Sequence, residues 1–290
     1  MALDTKSRRS EVSREFLRGN LPVFGALLCL FLAFAHAPRQ VQAQQSPAAS
    51  AATPNNTDPG DPKARLLLQQ MVTALGGSEW LAIQDSVTQG RTASFFQGSP
   101  TGQLIDFWLL HRAPDEDRIE LTKRRDVIDI YTPKVGVEIT YKGRQYLPQT
   151  DVDDMLRRRA HSVEAVAHVW MKDPSATFFY MGTEIVGRRQ ADIVRIVNAQ
   201  NDNVTLDLDT ETHLPLRRTF RWRDPTYKDY DEDSEEYDAY QTVQGFPTPF
   251  TITRYHNGDM VAQRYIISVD YNVGLEPDLF DPVAVPIPQN

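Results

Sequence analysis

The chain has 290 residues, a formal net charge of −8 at pH 7 and a single cysteine, Cys29. One cysteine excludes a disulfide-stapled scaffold, so the fold must stand on its hydrophobic core, which a chain of this length can build. The acidic balance argues against a nucleic-acid partner and against permanent attachment to an anionic membrane, leaving transient membrane contact at most.

The N-terminus carries Lys6, Arg8, Arg9, Arg14 and Arg18, then an uncharged apolar run from Leu21 to Ala37, then Val41-Gln42-Ala43. Basic region, apolar region and small residues in that order make a secretory signal over residues 1–43. Cleavage is placed after Ala43, because Pro38 disfavours a cut after Ala37. The alternative is an uncleaved anchor, for which the run is slightly short of the roughly 20 residues a span needs. Cys29 follows Leu28 in the middle of the run, which does not suit a lipoprotein signal. The exported chain then has no thiol, and its 25 Lys+Arg against 36 Asp+Glu give −11.

Residues 44–61 are rich in Ala, Ser, Pro, Asn and Gln without periodicity and read as a disordered linker. A domain is expected over 62–282, with a flexible tail at 283–290. Its first helix is punctuated by Asp61 as N-cap, Pro62 at the first helical position and Gly76 as terminator. Ala64, Leu67, Leu68, Met71 and Leu75 form its apolar stripe. Strands follow over 83–96, 103–112 and 118–122. Ile105, Phe107 and Leu109 share one face of the second; Leu104, Trp108 and Leu110 share the other. A strand apolar on both faces is central or lines a cavity. A further hairpin is expected from 126–131 and 135–141.

One long second helix is expected over 151–171, capped by Thr150 with Asp153 three residues on. Val152, Met155, Leu156, Val163, Val166 and Trp170 make its apolar face. It stands between two groups of strands and so should cross the open side of a sheet. From Ala176 onward the pattern is strand after strand. Val204, Leu206 and Leu208 alternate with polar residues; so do Leu214, Leu216, Phe220 and Trp222, with Arg218 the one break on the apolar side. Val261, Tyr265, Ile267, Val269 and Tyr271 are assigned to one face of the last strand and Ala262, Arg264, Ser268 and Asp270 to the other. Asn257-Gly258 marks the hairpin before it. The acidic run Asp231–Glu236 reads as a solvated hairpin tip within 227–240.

No motif for catalysis stands out. There is no nucleophile elbow, no Gly-rich phosphate loop and no His-Glu-x-x-His. His161 and His168 are seven apart on the second helix, but without a third ligand they make a poor zinc site. No catalytic residue, metal or cofactor is therefore expected. Arg157-Arg158-Arg159 is the densest basic spot. It is either a solvated helix face or a contact for a lipid head group or membrane surface.

Several short pieces, taken in order, carry a resemblance. They are Ala74-Leu75-Gly76-Gly77 with Leu81, Ile83 and Gly90; Gly182-Thr183-Glu184-Ile185-Val186-Gly187; Leu208-Asp209 with Thr212-His213-Leu214-Pro215; Tyr240 with Val243, Gly245 and Pro249; and Asn272 with Leu275 and Phe280. Together they resemble the LolA/LolB-like outer-membrane lipoprotein carrier and sorting proteins over most of residues 62–282. The resemblance implies an incomplete antiparallel β-barrel, mainly β with some α, with helices covering its concave face over an apolar cavity. It implies a periplasmic carrier, without catalysis, of lipid or lipoprotein acyl chains in outer-membrane lipoprotein sorting, with an inner- or outer-membrane partner protein. The cavity lining is expected from Phe107, Met155, Leu156, Val163 and Val166. The chain departs from the carriers in its extra length around 227–240, and the arginine with which carriers couple lid to barrel cannot be assigned. A second function on the same fold is a periplasmic sensor or protein-interaction module that uses the acidic hairpin as its contact.

Overall fold

The computed structural model describes residues 60–224 and 226–289. The expected signal at 1–43 and residues 44–59 of the expected linker lie outside the described residues. Among them, no helix is long and apolar enough to cross a membrane.

Helix α1 (Pro62–Leu75) forms for the reasons its sequence gives. The Asp61 carboxylate accepts from the Lys63 amide at 2.8 Å, Pro62 opens the helix, and Gly76 ends it at φ 127°. Its buried residues are the five of the expected stripe. A short helix α2 (Gly77–Leu81) follows, burying Trp80. The chain then runs through β1 (Asp85–Phe96), the two-residue β2 (Ser99–Pro100), β3 (Ile105–Arg112), β4 (Glu116–Leu121), β5 (Val127–Tyr131), β6 (Gly136–Thr140) and β7 (Gly143–Tyr146). Helices α3 (Gln149–Ala160) and α4 (Val163–His168) and a 3-10 turn (Trp170–Lys172) lead to the second group. That group is β8 (Thr177–Val186), β9 (Arg189–Val197), β10 (Asn203–Asp209), β11 (Pro215–Arg223), β12 (Tyr230–Val243), β13 (Phe246–His256) and β14 (Asp259–Tyr271).

All the strands belong to one antiparallel, curved sheet in the order β7-β6-β5-β4-β3-β1-β14-β13-β12-β11-β10-β9-β8, with β2 beside β1. The path ends on β7 and β8, so the barrel is incomplete, as the resemblance implied. Each successive strand pairs with its predecessor except at two places. The first group walks outward from β1, the helices carry the chain across, and the second group walks back until β14 pairs with β1.

The helices give the concave face two separate cores. One joins α1, Trp80, Val163, Val166 and Trp170 to the inner residues of β8–β10, including Phe178, Val194, Ile196 and Leu206. The other joins Val152, Met155 and Leu156 of α3 to Phe107, Ile119, Leu121 and Tyr131. On the opposite face, Ile128, Ile130, Val137 and Ile139 pack against Val285. Arg144 donates from Nε to Pro282 O and from Nη2 to Val283 O and Val285 O. Residues 282–285 are thus held on the sheet rather than forming part of a flexible tail.

Five details differ from the sequence expectation. The second helix is broken at His161–Ser162, because Ser162 caps a new helix by accepting from the Ala165 amide at 3.1 Å. Thr150 does not cap; the helix begins at Gln149, two residues earlier than expected, after Pro148 and without a side-chain cap. In β14 the register shifts between Gln89↔Ser268 and Gly90↔Ile266, leaving Ile267 as an extra residue. Such a bulge reverses the facing of everything beyond it. Ala262, Arg264 and Ile266 therefore share the inner face with Val269 and Tyr271, while Tyr265 and Ile267 are exposed. A second register shift, opposite Asp207/Leu208, leaves Leu216 in a small cluster with Val186 and Ala191, apart from the main core.

The fifth correction concerns the acidic run. Asp231–Glu236 is not a hairpin tip but the first half of β12, laid against the arginines of β11. Arg217 opposes Glu236, Arg218 opposes Glu235 and Arg221 opposes Glu232. Cross-strand pairs of opposite charge stabilise a sheet, and the run is consumed in doing so.

Candidate functional site: a cavity between sheet and helices

The two concave-side cores do not meet. Between them lies a cavity of about 310 Å³, bordered by α1–α4 and by β1, β3, β4 and β11–β14. Its apolar lining comes from both cores and from the sheet: Trp80, Phe107, Leu109, Met155, Val163 and Ile266. Its polar lining is concentrated on neighbouring strands of the second group: Arg218 (β11), Glu235 and Tyr237 (β12), Arg254 (β13) and Arg264 (β14).

Gly90 shapes the apolar part. A Cβ there would stand 2.5 Å from Tyr265 O and 2.8 Å from the Phe107 ring, so Phe107 lies across a position that only glycine leaves open. Gly90→Ala is expected to destabilise by about 1–3 kcal/mol through overpacking, since the clash with backbone cannot be relieved by a rotamer change. Urea unfolding checks this; a midpoint equal to that of the wild type would mean that Phe107 is not seated there.

The charged part is an ion-pair network. Asp233, 1% exposed, accepts from Arg254 Nε at 2.8 Å and from Arg218 Nη1 at 3.4 Å. Glu235 accepts from Arg264 Nη2 at 2.7 Å and pairs with Arg218 Nη2 at 3.1 Å. Burial alone would raise the Glu235 carboxyl, but Arg218 and Arg264 outweigh it and hold it at about 2. Burial pushes the Tyr237 phenol up, and Glu235 adds to this.

A second pair ties helix to sheet. Arg159 of α3 donates to both carboxylate oxygens of Asp117 on β4, and His111 Nδ1 lies 2.8 Å from the same carboxylate. Burial disfavours the Asp117 anion, but Arg159 and His111 prevail and bring it down to about 2. The folded pKa thus lies below the ordinary value of 3.8. The stability it confers is present above about pH 4 and is lost as pH falls through about 2, a contribution of about 2 kcal/mol. The stability gap between wild type and Asp117→Asn is expected to narrow as pH falls below about 4. Urea titrations across that range check it.

Of the residues expected in the lining, Phe107, Met155 and Val163 border the cavity. Leu156 packs in the β3–β5 core and Val166 is wholly buried in the other. The three arginines separate. Arg157 pairs with Asp154 and lies over the Trp222 ring, 4.7 Å from its centroid. Arg158 and Arg159 border the cavity, so neither the solvated helix face nor an outward membrane contact describes them. His161 sits at the helix break, its Nδ1 donating to Arg157 O at 2.7 Å and its Nε2 2.9 Å from Asp202. His168 stacks on Trp80 instead. Among the described residues, no group of three or more His, Cys, Asp or Glu could hold a metal.

Sequence reasoning missed Arg218, Glu235, Arg254 and Arg264 as site residues. The signal was present in Arg218, the charged break on an otherwise apolar strand face.

No family model and no curated protein matches the sequence. Solved structures do. A DUF1329 family protein from Desulfovibrio piger is similar at TM-score 0.50 and 12% identity, over 79% of this chain and 99% of that one. A LolA superfamily protein from Nitrosomonas europaea is similar at TM-score 0.47 and 11% identity, over 75% of this chain and 96% of that one. A domain described as an outer membrane lipoprotein-sorting protein from Vibrio parahaemolyticus is similar at TM-score 0.46 and 12% identity, over 76% and 96%. The likeness to the Desulfovibrio piger protein is one of fold alone. The architecture itself, an open antiparallel sheet with helices over its concave side, is the incomplete barrel that the sequence resemblance implied.

Proposed function

We propose that the protein is a periplasmic carrier or binding protein that holds lipid or lipoprotein acyl chains in the cavity, without catalysis, in outer-membrane lipoprotein sorting. The observation that carries this is the cavity of about 310 Å³ between sheet and helices, with Phe107, Leu109, Met155 and Ile266 on its walls. Each methylene moved from water into such a site is favourable by about 0.8 kcal/mol, so part of one acyl chain suffices for useful affinity. The secretory signal at 1–43 supports the address, and a membrane-bound partner would receive or deliver the cargo. The acidic run offers little to the sensor reading, since its carboxylates are already paired across β11 and β13.

Native mass spectrometry of protein purified from periplasm without detergent, followed by organic extraction, tests the reading. An acyl-chain lipid in stoichiometric amount is expected. Ligand-free protein, with none acquired after incubation with phospholipid vesicles, would overturn it.

A further inference from the structure

The break between α3 and α4 carries an imidazole whose hydrogen bonds fix its charge. His161 is 4% exposed. Its Nδ1 lies 2.7 Å from Arg157 O, a carbonyl that can only accept. Its Nε2 lies 3.0 and 2.9 Å from the two carboxylate oxygens of Asp202, in the turn between β9 and β10. An ionised carboxylate also only accepts, whereas a neutral imidazole has one donor nitrogen and one acceptor nitrogen. Two acceptors therefore need both ring nitrogens protonated, and His161 is an imidazolium. Asp202 is itself fixed in the turn. Its Oδ1 accepts from the Asn203 amide at 2.8 Å, and its own amide donates to Asn198 Oδ1 at 3.0 Å.

The surroundings suit a cation. The ring stacks on Phe220 of β11 with centroids 4.3 Å apart, and it tilts against Trp170 of the 3-10 turn. Aromatic faces attract cations. From α3 comes the Arg157 carbonyl, while the Arg157 guanidinium is paired with Asp154 over the Trp222 ring. The Arg218 guanidinium of β11 also lies over Phe220, 4.9 Å from its centroid, and is matched by Asp233 and Glu235. Asp202 is thus the counter-ion of His161.

The residues on both sides of the break belong to the cavity wall. Arg158 and Arg159 precede it, Ser162, Val163 and Glu164 follow it, and all five line the cavity. The contact with Asp202 ties that stretch of wall to the β9–β10 turn.

We propose that His161 is a proton latch on the cavity. Protonated, it holds the α3–α4 wall to the β9–β10 turn; deprotonated, it lets the wall loosen, and the chain inside is held less firmly. This rests on the reading of the cavity as an acyl-chain site and adds how such a chain is released. On the acid side both ties are made. As pH rises through the range in which imidazole gives up its proton, about 5 to 8, one nitrogen turns a lone pair on an oxygen. One tie is then lost, and the ion pair with Asp202 goes with the charge.

Two measurements test the latch. Long-range proton–nitrogen correlation spectra of the wild-type protein, recorded at the acid end of that range, should show both ring nitrogens of His161 protonated. An unprotonated nitrogen there would overturn the proposal. The second measurement is binding of the uncharged probe N-phenyl-1-naphthylamine at about pH 6 and about pH 8.5, either side of the loss of an imidazole proton. The wild type should bind it about tenfold more tightly at the lower pH, the worth of one charge-assisted hydrogen bond. Asp202→Asn should remove the difference to within about twofold. Its Nδ2 can donate to an unprotonated Nε2 while its Oδ1 keeps the Asn203 amide, so both ties survive without charge. His161→Phe loses both ties and should bind at either pH as the wild type does at the higher one. Equal wild-type affinity at the two pH values would overturn the latch and leave the acyl-chain reading standing. A pH dependence that persists in His161→Phe would also overturn it and point to His111, which lines the cavity. Failure of the probe to bind at either pH would remove the acyl-chain reading and the coupling together, and the ring nitrogens would still report the charge of His161.

Discussion

Replacing Asp233 with leucine is expected to destabilise the protein by about 3–5 kcal/mol, because it leaves buried arginines without their counter-ion. Asp233 is 1% exposed and bridges Arg218 and Arg254. Glu235 remains to hold Arg218, but Arg254 loses the only carboxylate in contact with it among the described ion pairs. The double variant Asp233→Leu/Arg254→Met should recover much of the loss, since both ends of one pair are then gone and Arg218 keeps Glu235. Urea unfolding of the single and double variants measures the coupling. If the two substitutions add without recovery, the network is not a unit. Glu235 adds a pH dependence of its own: held at about 2, it stabilises above about pH 4 and ceases to do so as pH falls through about 2.

Trp170→Ala is expected to cost about 3–5 kcal/mol, the range for truncating a buried aromatic side chain. Trp170 is 6% exposed, lies in the core shared by α1, α4 and β8–β10, and donates from Nε1 to Ala160 O at 2.8 Å. That bond also closes the turn where the second helix breaks. Met155→Ala should behave differently, because Met155 already borders empty space. Its removal should cost about 1 kcal/mol or less, below the usual range for a packed core methionine, and should weaken binding of an alkyl-chain probe instead. Thermal unfolding of the two variants, paired with probe titration, separates the roles. Equal destabilisation with unchanged binding would make this stretch plain core and remove the helix from the cavity.

What could be read in the sequence, and what could not, follows from the range of each interaction. Helix α1 was legible in full, because its caps and stripe are local and all point to the same element. The strands of 203–209 and 215–223 were legible as strands, with the anomaly at Arg218, but the register shift that sets Leu216 apart was not. The bulge at Ile267 was not, since strict alternation assumes a constant register; the doublet Ile266-Ile267 was its one trace. The break at His161–Ser162 carries neither Gly nor Pro, and only the Ser162 hydroxyl announces it. The acidic run was misread because its partners are distant in sequence: Asp231–Glu236 looks solvated until β11 and β13 are laid beside it. The candidate site shows the same division. Phe107, Met155 and Val163 came from apolar pattern, whereas Arg218, Arg254 and Arg264 come together only through strand order.

The central claim is that an alkyl chain occupies the space between the two concave-side cores. Crystals grown with 12-bromododecanoate test it most directly through the anomalous signal of bromine. The account predicts bromine inside the cavity, against Phe107, Leu109 or Met155. Bromine found only on the outside, for instance along the exposed Phe179, Met181 and Ile185 of edge strand β8, with the cavity unfilled, would contradict it.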